Sequence, residues 1–375
     1  MTKPATPHLY SRSARPVTRA GVYDLYWVFA SQRHAAFERR LSGAARPWSD
    51  DPILETYKFC NVFRAADRVS QYMIREVAGG GEAETVEDRI FGIVAFRTFS
   101  NERTWDGVRR YLGGRPRLAH LDDGSFEAAL DAVRSENGGL YTGAFILCAT
   151  KAFGFDEKHR NHVGLFKHMF LESDAANRLL AANSLAAVVS ILESFPLMGP
   201  FMAYQTAIDL CYSDLFPFSE NDYTQAGPGA LRGLKKAFSD LGDFSPAEAI
   251  RWMVDQQADE FDRLQLPFGG LFGRPLHAID CQGLFCELDK YCREAVPELK
   301  SARSRIKARF SPSAEALPLV FPPKWQLATG HKIPAFKAPP EDGMLFDLPD
   351  GPRTPGRRMS RRTSTAETGE QRLLL

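Results

Sequence analysis

The sequence predicts a mostly α-helical protein. Apolar residues return every three or four positions through most of the chain up to Trp325, which is the period of a helix packed on one side. Strict two-residue alternation is scarce, and no strand–helix–strand repetition occurs, so an extended sheet has no support. Proline and glycine punctuate the helical runs at helix-length intervals.

Tyr23, Tyr26, Trp27, Ala30, Phe37 and Leu41 place the first helix over 23–41. Pro47-Trp48-Ser49-Asp50-Asp51-Pro52 ends that pattern, and Ser49, Asp50 and Asp51 are all available to cap a helix opening at Pro52. Further helical periods run near 52–78, 84–98, 102–112, 125–136, 175–193, 200–213, 228–240, 246–263 and 283–309. Only 140–148 carries strand character. Residues 1–21, rich in Pro, Arg, Ser and Thr, read as a flexible basic arm. Past Lys324-Trp325 aromatic content falls away, and 331–375 reads as a disordered Pro/Arg/Ser-rich tail. That leaves 22–330 as a helical domain, single or in two lobes.

With 44% hydrophobic and 25% charged residues and a net charge of +1, the 375-residue chain is expected to be soluble and has no global pull toward nucleic acid. No leader-like or membrane-spanning apolar run occurs, so no membrane partner and a cytoplasmic location are expected. The six cysteines (Cys60, Cys148, Cys211, Cys281, Cys286 and Cys292) lack C-x2-C spacing and read as reduced thiols. His159, His162 and His168 have no acid at ligand spacing, so neither a metal nor a cofactor is expected.

Four stretches carry chemistry. Ala278 to Tyr291 crowds Asp280, Glu287, Asp289, Lys290, two thiols and Gln282 among apolar side chains. Buried charge is costly unless paired or used, so the stretch reads either as the floor of a site or as a core ion-pair network. Asp280 and Glu287 suit proton transfer; Cys286 is a nucleophile if Lys290 lowers its pKa, and otherwise a small buried hydrophobe. On a continuous helix Arg64, Asp67, Arg68 and Gln71 form one polar stripe, suited to a phosphate or base edge or to a simple intrahelical ion pair. Ser194 to Gln205 reads as a helical hairpin turned at Pro196 and Gly199 and reopened by Pro200; it is similar in form to the helix-hairpin-helix of DNA glycosylases, with Gln205, Asp209 and Tyr212 projecting from its second helix. Gly227 and Gly229 flank Pro228 at another helix start, where amides suit a phosphate, although a plain tight turn fits as well. No G-x4-G-K-[ST] phosphate loop occurs. Lys300, Arg303, Arg305, Lys307 and Arg309 fit a solvated helix or a DNA backbone contact.

The order of Pro47-Trp48-Ser49-Asp50-Asp51-Pro52, Lys58-Phe59-Cys60-Asn61, Arg64 to Tyr72, Pro200 to Gln205, Ala226-Gly227-Pro228-Gly229-Ala230 and Ile279 to Glu287 resembles the alpha-glutamyl/putrescinyl thymine pyrophosphorylases, from about Tyr23 to Trp325. These share the helical domain of 5-hydroxymethyluracil DNA kinases. Gly283 stands where Asn is expected. The resemblance implies a DNA-glycosylase-like fold and thymine hypermodification in a bacterial or phage-infected cell. A separate kinase phosphorylates 5-hydroxymethyluracil in DNA, and an amine or amino acid then replaces the phosphate or pyrophosphate. In that chemistry Lys58, Arg64, Arg68 and hairpin amides face the leaving oxygens, with Asp67, Gln71, Asp209, Gly227 and Gly229 beside them. Asp280 or Glu287 takes the amine proton, and Gln205 or Gln282 reads the extruded base. Trp48, Tyr72, Tyr204 or Tyr212 stacks on it, and a covalent route would use Cys286 at C6. A base-excising glycosylase and a non-catalytic DNA-holding partner of the kinase are the competing readings.

Overall fold

Helices account for nearly all regular structure in a computed structural model that describes residues 14–81, 84–142, 151–299, 306, 308–312 and 319–327. They are α1 (Val22–Leu41), α2 (Pro52–Thr56), α3 (Arg68–Tyr72), α4 (Val86–Phe99), α5 (Glu102–Leu112), α6 (Leu118–Asp122), α7 (Ser125–Asn137), α8 (Lys158–Lys167), α9 (Ala175–Leu180), α10 (Leu185–Glu193), α11 (Pro200–Cys211), α12 (Pro228–Ala237), α13 (Pro246–Arg263) and α14 (Ala278–Ala295). Side-chain caps set several starts. Asp51 Oδ1 accepts from the Ile53 amide at 2.7 Å, which makes it the cap chosen among the three candidates before Pro52. Thr85 with Asp88, and Ser245 with Glu248, form capping boxes for α4 and α13.

Three expectations change. The 52–78 run is not one helix: α2 stops at Thr56, and Arg64–Ala66 is a 3-10 turn before α3. Local side-chain bonds win there, since Asp67 Oδ1 accepts from Asn61 N at 2.7 Å and Asn61 Nδ2 donates to Ala66 O at 2.7 Å. The 175–193 run divides into α9 and α10, with Ser184 capping the second. The last long helix spans 278–295 rather than 283–309, because His277 and Asp280 box its start one turn earlier than the apolar pattern implies. A two-stranded antiparallel sheet joins Val17–Thr18, within the expected arm, to Phe238–Asp240. The strand expected at 140–148 lies mostly outside the described residues, as does the tail.

The core is aromatic. From α1, Tyr26 packs on Phe285, Trp27 on Phe261, and Phe29 on Phe59 and Tyr291. Phe91 meets Phe126, Phe166 and Phe170 farther along the chain. The tightest helix contact is α12 against α14. A Cβ on Gly233 would lie 1.9 Å from the Phe285 carbonyl oxygen, and one on Gly229 2.3 Å from Cys286 Sγ. Glycines four apart on one face therefore let these backbones touch. Among the described residues no helix is long and apolar enough to cross a membrane.

Candidate functional site

The loop 57–67 is held down by α14. Asp280 Oδ1 accepts from Arg64 N at 2.9 Å, and Glu287 Oε2 accepts from Cys60 N at 3.1 Å. Seven residues apart, these carboxylates share a helix face about 10 Å long. Asp280 Oδ2 also accepts from His277 N at 3.0 Å, and Lys290 Nζ lies 2.5 Å from Glu287. Burial raises the Asp280 pKa, only partly countered by His277 and Arg274.

Arg64 then enters a buried polar network. Its Nε donates to Gln205 Oε1 at 3.0 Å, and its Nη2 lies 2.7 Å from Asp209 Oδ1. Arg97 pairs with the other Asp209 oxygen. Gln205 Nε2 donates to Gln282 Oε1 at 3.4 Å, and the Arg64 guanidinium sits 5.4 Å over the Tyr212 ring. Burial opposes the charge on Arg64, but Asp209 and Tyr212 more than offset it and raise its pKa. Arg64 Nη1 is buried without a hydrogen-bond partner. Five predicted residues (Arg64, Gln205, Asp209, Asp280 and Gln282) thus converge from three segments.

The chain beyond α14 closes this network. Gln71 Nε2 donates to Val320 O at 3.0 Å and its Oε1 accepts from Val320 N at 2.8 Å. Trp325 packs edge-on to Tyr212, donates to Glu220 Oε1 at 3.2 Å, and carries the Arg274 guanidinium 3.7 Å over its ring. Burial raises the Glu220 pKa, but His277, Arg274 and Lys324 outweigh it and hold the carboxyl at about 2. Arg97, Glu220, Arg274 and Trp325 were not singled out as site residues. Arg97 had one legible signal, a lone cation in the apolar run Ile93 to Phe99.

Other predicted residues fall elsewhere. The Arg64–Asp67–Arg68–Gln71 stripe does not form, because the chain turns between Arg64 and Arg68. Arg68 is exposed and pairs with Glu102 at 3.1 Å, while Gln71 is fully buried and donates to Ala65 O at 2.6 Å. Asp67 faces the Asn61 amide, and burial lifts its pKa to about 6 against the pull of that bond. Lys58 is exposed, its backbone amide bonded to Ala308 O at 2.9 Å. Gly227 and Gly229 are packing glycines rather than a phosphate cradle: Cβ atoms there would strike Phe201 and Cys286. Tyr72, Tyr204 and Tyr212 are buried against protein rings, Tyr72 on Phe96 and Tyr204 against Tyr223, so none offers a free face to a base. Lys290 does not activate Cys286. Burial and the Glu287 charge push the thiol up to about 11, and the ammonium falls short of reversing them. Asp289 is neutralised away from the network by Arg232, Lys236 and Arg293.

Trp48 stands apart. It lines a pocket of about 50 Å³ with Arg33, Arg40, Tyr57, Phe59, Asn61 and Phe310. Arg33 Nη2 donates to Asn61 Oδ1 at 2.5 Å and to Phe59 O at 3.4 Å. Phe310 reaches the pocket because its amide donates to Thr56 O at 3.0 Å.

Residues 20–301 match the family model described as 5-hmdU DNA kinase, helical domain. The chain belongs to this family. It is similar to the 5-hmdU DNA kinase of Bacillus phage SP10, with 27% identity over 294 residues, 74% of this chain and 46% of that protein. The chain therefore spans less than half of that relative's length. No solved structure matches. Within this helical-domain chain, the matched span holds the whole Arg64 network, whereas Phe310, Val320 and Trp325 lie past its end. A Cβ at Gly283 would meet nothing within 4 Å, so a side chain can begin there without a clash.

Proposed function

We propose that this chain modifies 5-hydroxymethyluracil in DNA, displacing the phosphate of the phosphorylated hydroxymethyl group with an amine or amino-acid nucleophile. The C–O bond to phosphate breaks, a C–N bond forms, phosphate or pyrophosphate leaves, and the amine proton passes to a carboxylate. Family membership supports the DNA base as substrate. The observation that carries the reading is the convergence of Arg64, Gln205, Asp209, Asp280 and Gln282 around a buried guanidinium with one unpartnered nitrogen, Nη1. Such a cation suits the developing charge on a leaving phosphate. A carboxylate whose pKa burial has raised, as for Asp280, accepts a proton more readily than an ordinary one.

A second reading makes the chain a DNA-holding partner that presents the base to a kinase. It is favoured by the partial coverage of the SP10 relative and by the lack of a G-x4-G-K-[ST] loop in this sequence. Incubating the protein with DNA bearing phosphorylated 5-hydroxymethyluracil and candidate amines, followed by nucleoside mass analysis, separates the readings. Transfer yields a heavier nucleoside and a holding partner yields unchanged DNA. Free base would instead mark a glycosylase.

A further inference from the structure

We propose that the pocket walled by Trp48, Tyr57, Phe59 and Phe310 takes one unpaired pyrimidine nucleotide of a DNA strand, its base among the rings and its phosphates on the surrounding arginines. This rests on the reading that DNA is the substrate and names the place where a strand is held.

Three features of the pocket select that ligand. First, its walls are aromatic and already hold flat groups. Arg40 and Arg46 lie 5.5 and 5.7 Å from the Trp48 ring, and Arg46 lies 5.7 Å from Phe310. A base replacing the Arg40 guanidinium over Trp48 keeps a stacked group on that ring. Second, the floor carries a buried cation with no carboxylate in direct contact. Among the described residues Arg33 bonds the Phe59 carbonyl and the Asn61 amide oxygen, and no carboxylate lies within 4 Å of its guanidinium. Burial lowers its pKa, only partly countered by the charges of Asp67 and Glu287, which are themselves held by the Asn61 and Cys60 amides.

Nearby acids are engaged. Glu55 accepts from the Trp48 and Ser49 amides at 3.0 and 3.1 Å and pairs with Arg46, while Asp50 lies 3.8 Å from Arg39. Third, a volume of about 50 Å³ holds roughly four water molecules, the scale of a single ring rather than a purine. A paired base cannot reach such a recess, so the nucleotide must be unstacked.

The full chain is titrated into fluorescein-labelled oligothymidine, the same strand annealed to its complement, and oligodeoxyadenosine, with fluorescence anisotropy as readout. Single-stranded oligothymidine is expected to bind at least tenfold more tightly than the other two. Raising salt from 50 to 200 mM weakens it roughly 7- to 18-fold if two or three phosphates are contacted. Trp48→Ala and Phe310→Ala each weaken it about 5- to 150-fold, the range of one lost stacking contact. Arg33→Met disturbs the loop it braces, so its melting is followed alongside, and Phe310→Ala on the outer wall reads the pocket alone. Equal affinity for duplex and single strand, no binding of any DNA, or wild-type binding by both aromatic variants would overturn the proposal. Strand binding through these residues without amine transfer keeps the pocket and removes the transferase. Wild-type transfer rates in both aromatic variants do the reverse.

Discussion

Asp209→Asn leaves the Arg64 and Arg97 guanidiniums facing each other across a neutral amide. In the wild type the carboxylate is fully buried, 2.7 Å from Arg64 Nη2 on one oxygen and paired with Arg97 on the other. Removing one member of a buried charge group costs about 3–5 kcal/mol, because the remaining charges lose their compensation without regaining water. Against a total stability typically near 5–15 kcal/mol, that is about a fifth or more. Equilibrium urea unfolding followed by circular dichroism is the assay. With a slope of about 3 kcal/mol/M, the midpoint falls by about 1–1.7 M. Adding Arg97→Met to Asp209→Asn removes one stranded cation and should restore part of the loss. A midpoint within about 0.3 M of wild type for Asp209→Asn, on an unchanged slope, would show that the network contributes no such stability.

Asp67 offers a pH test. Its folded pKa of about 6 exceeds the ordinary 3.8, so the stability it contributes is present below pH 4 and lost as pH rises through 6, amounting to about 3 kcal/mol at most. Asp67→Asn should therefore gain on wild type between pH 4 and 7; a melting difference constant across that window would refute this. Gly233→Ala should cost about 3 kcal/mol or more by driving a methyl into the Phe285 carbonyl. Gly283→Ala, with open space at its Cβ in the same helix pair, should be neutral or gain up to about 1 kcal/mol; equal losses in calorimetry would contradict the packing account. Cys286→Ala should retain transfer activity, since a thiol titrating at about 11 is ionised in only about one molecule in ten thousand at pH 7. A more than tenfold loss in the nucleoside assay would reinstate covalent catalysis.

Helices whose register depends on near-neighbour residues were legible. α13 runs from Pro246 to Arg263 as its apolar spacing requires, and α11 opens at Pro200. The convergence of Arg64, Gln205, Asp209, Asp280 and Gln282 was also foreshadowed, because buried charge in apolar runs needs partners. The polar stripe failed at Asp67 and Asn61, whose side chains capture backbone groups that a helix would have used. Helical spacing says nothing about such competition. The packing of Gly227 and Gly229 was hidden for a similar reason: the same glycine frees an amide for a ligand or admits a neighbouring helix, and spacing along the chain does not show the neighbour.

By itself the sequence determined what is local and additive: helical class, a helix start at Pro52 with three candidate caps before it, and the set of residues that cannot be buried alone. Tertiary structure decided which partners those residues find. It joined Arg64 to Asp209 across 144 intervening positions, closed Val320 and Trp325 over them, and set Phe310 beside Trp48 to wall a pocket. Periodicity is a property of neighbours along the chain. A guanidinium's counter-ion or an indole's open face depends on residues brought together only when the helices pack.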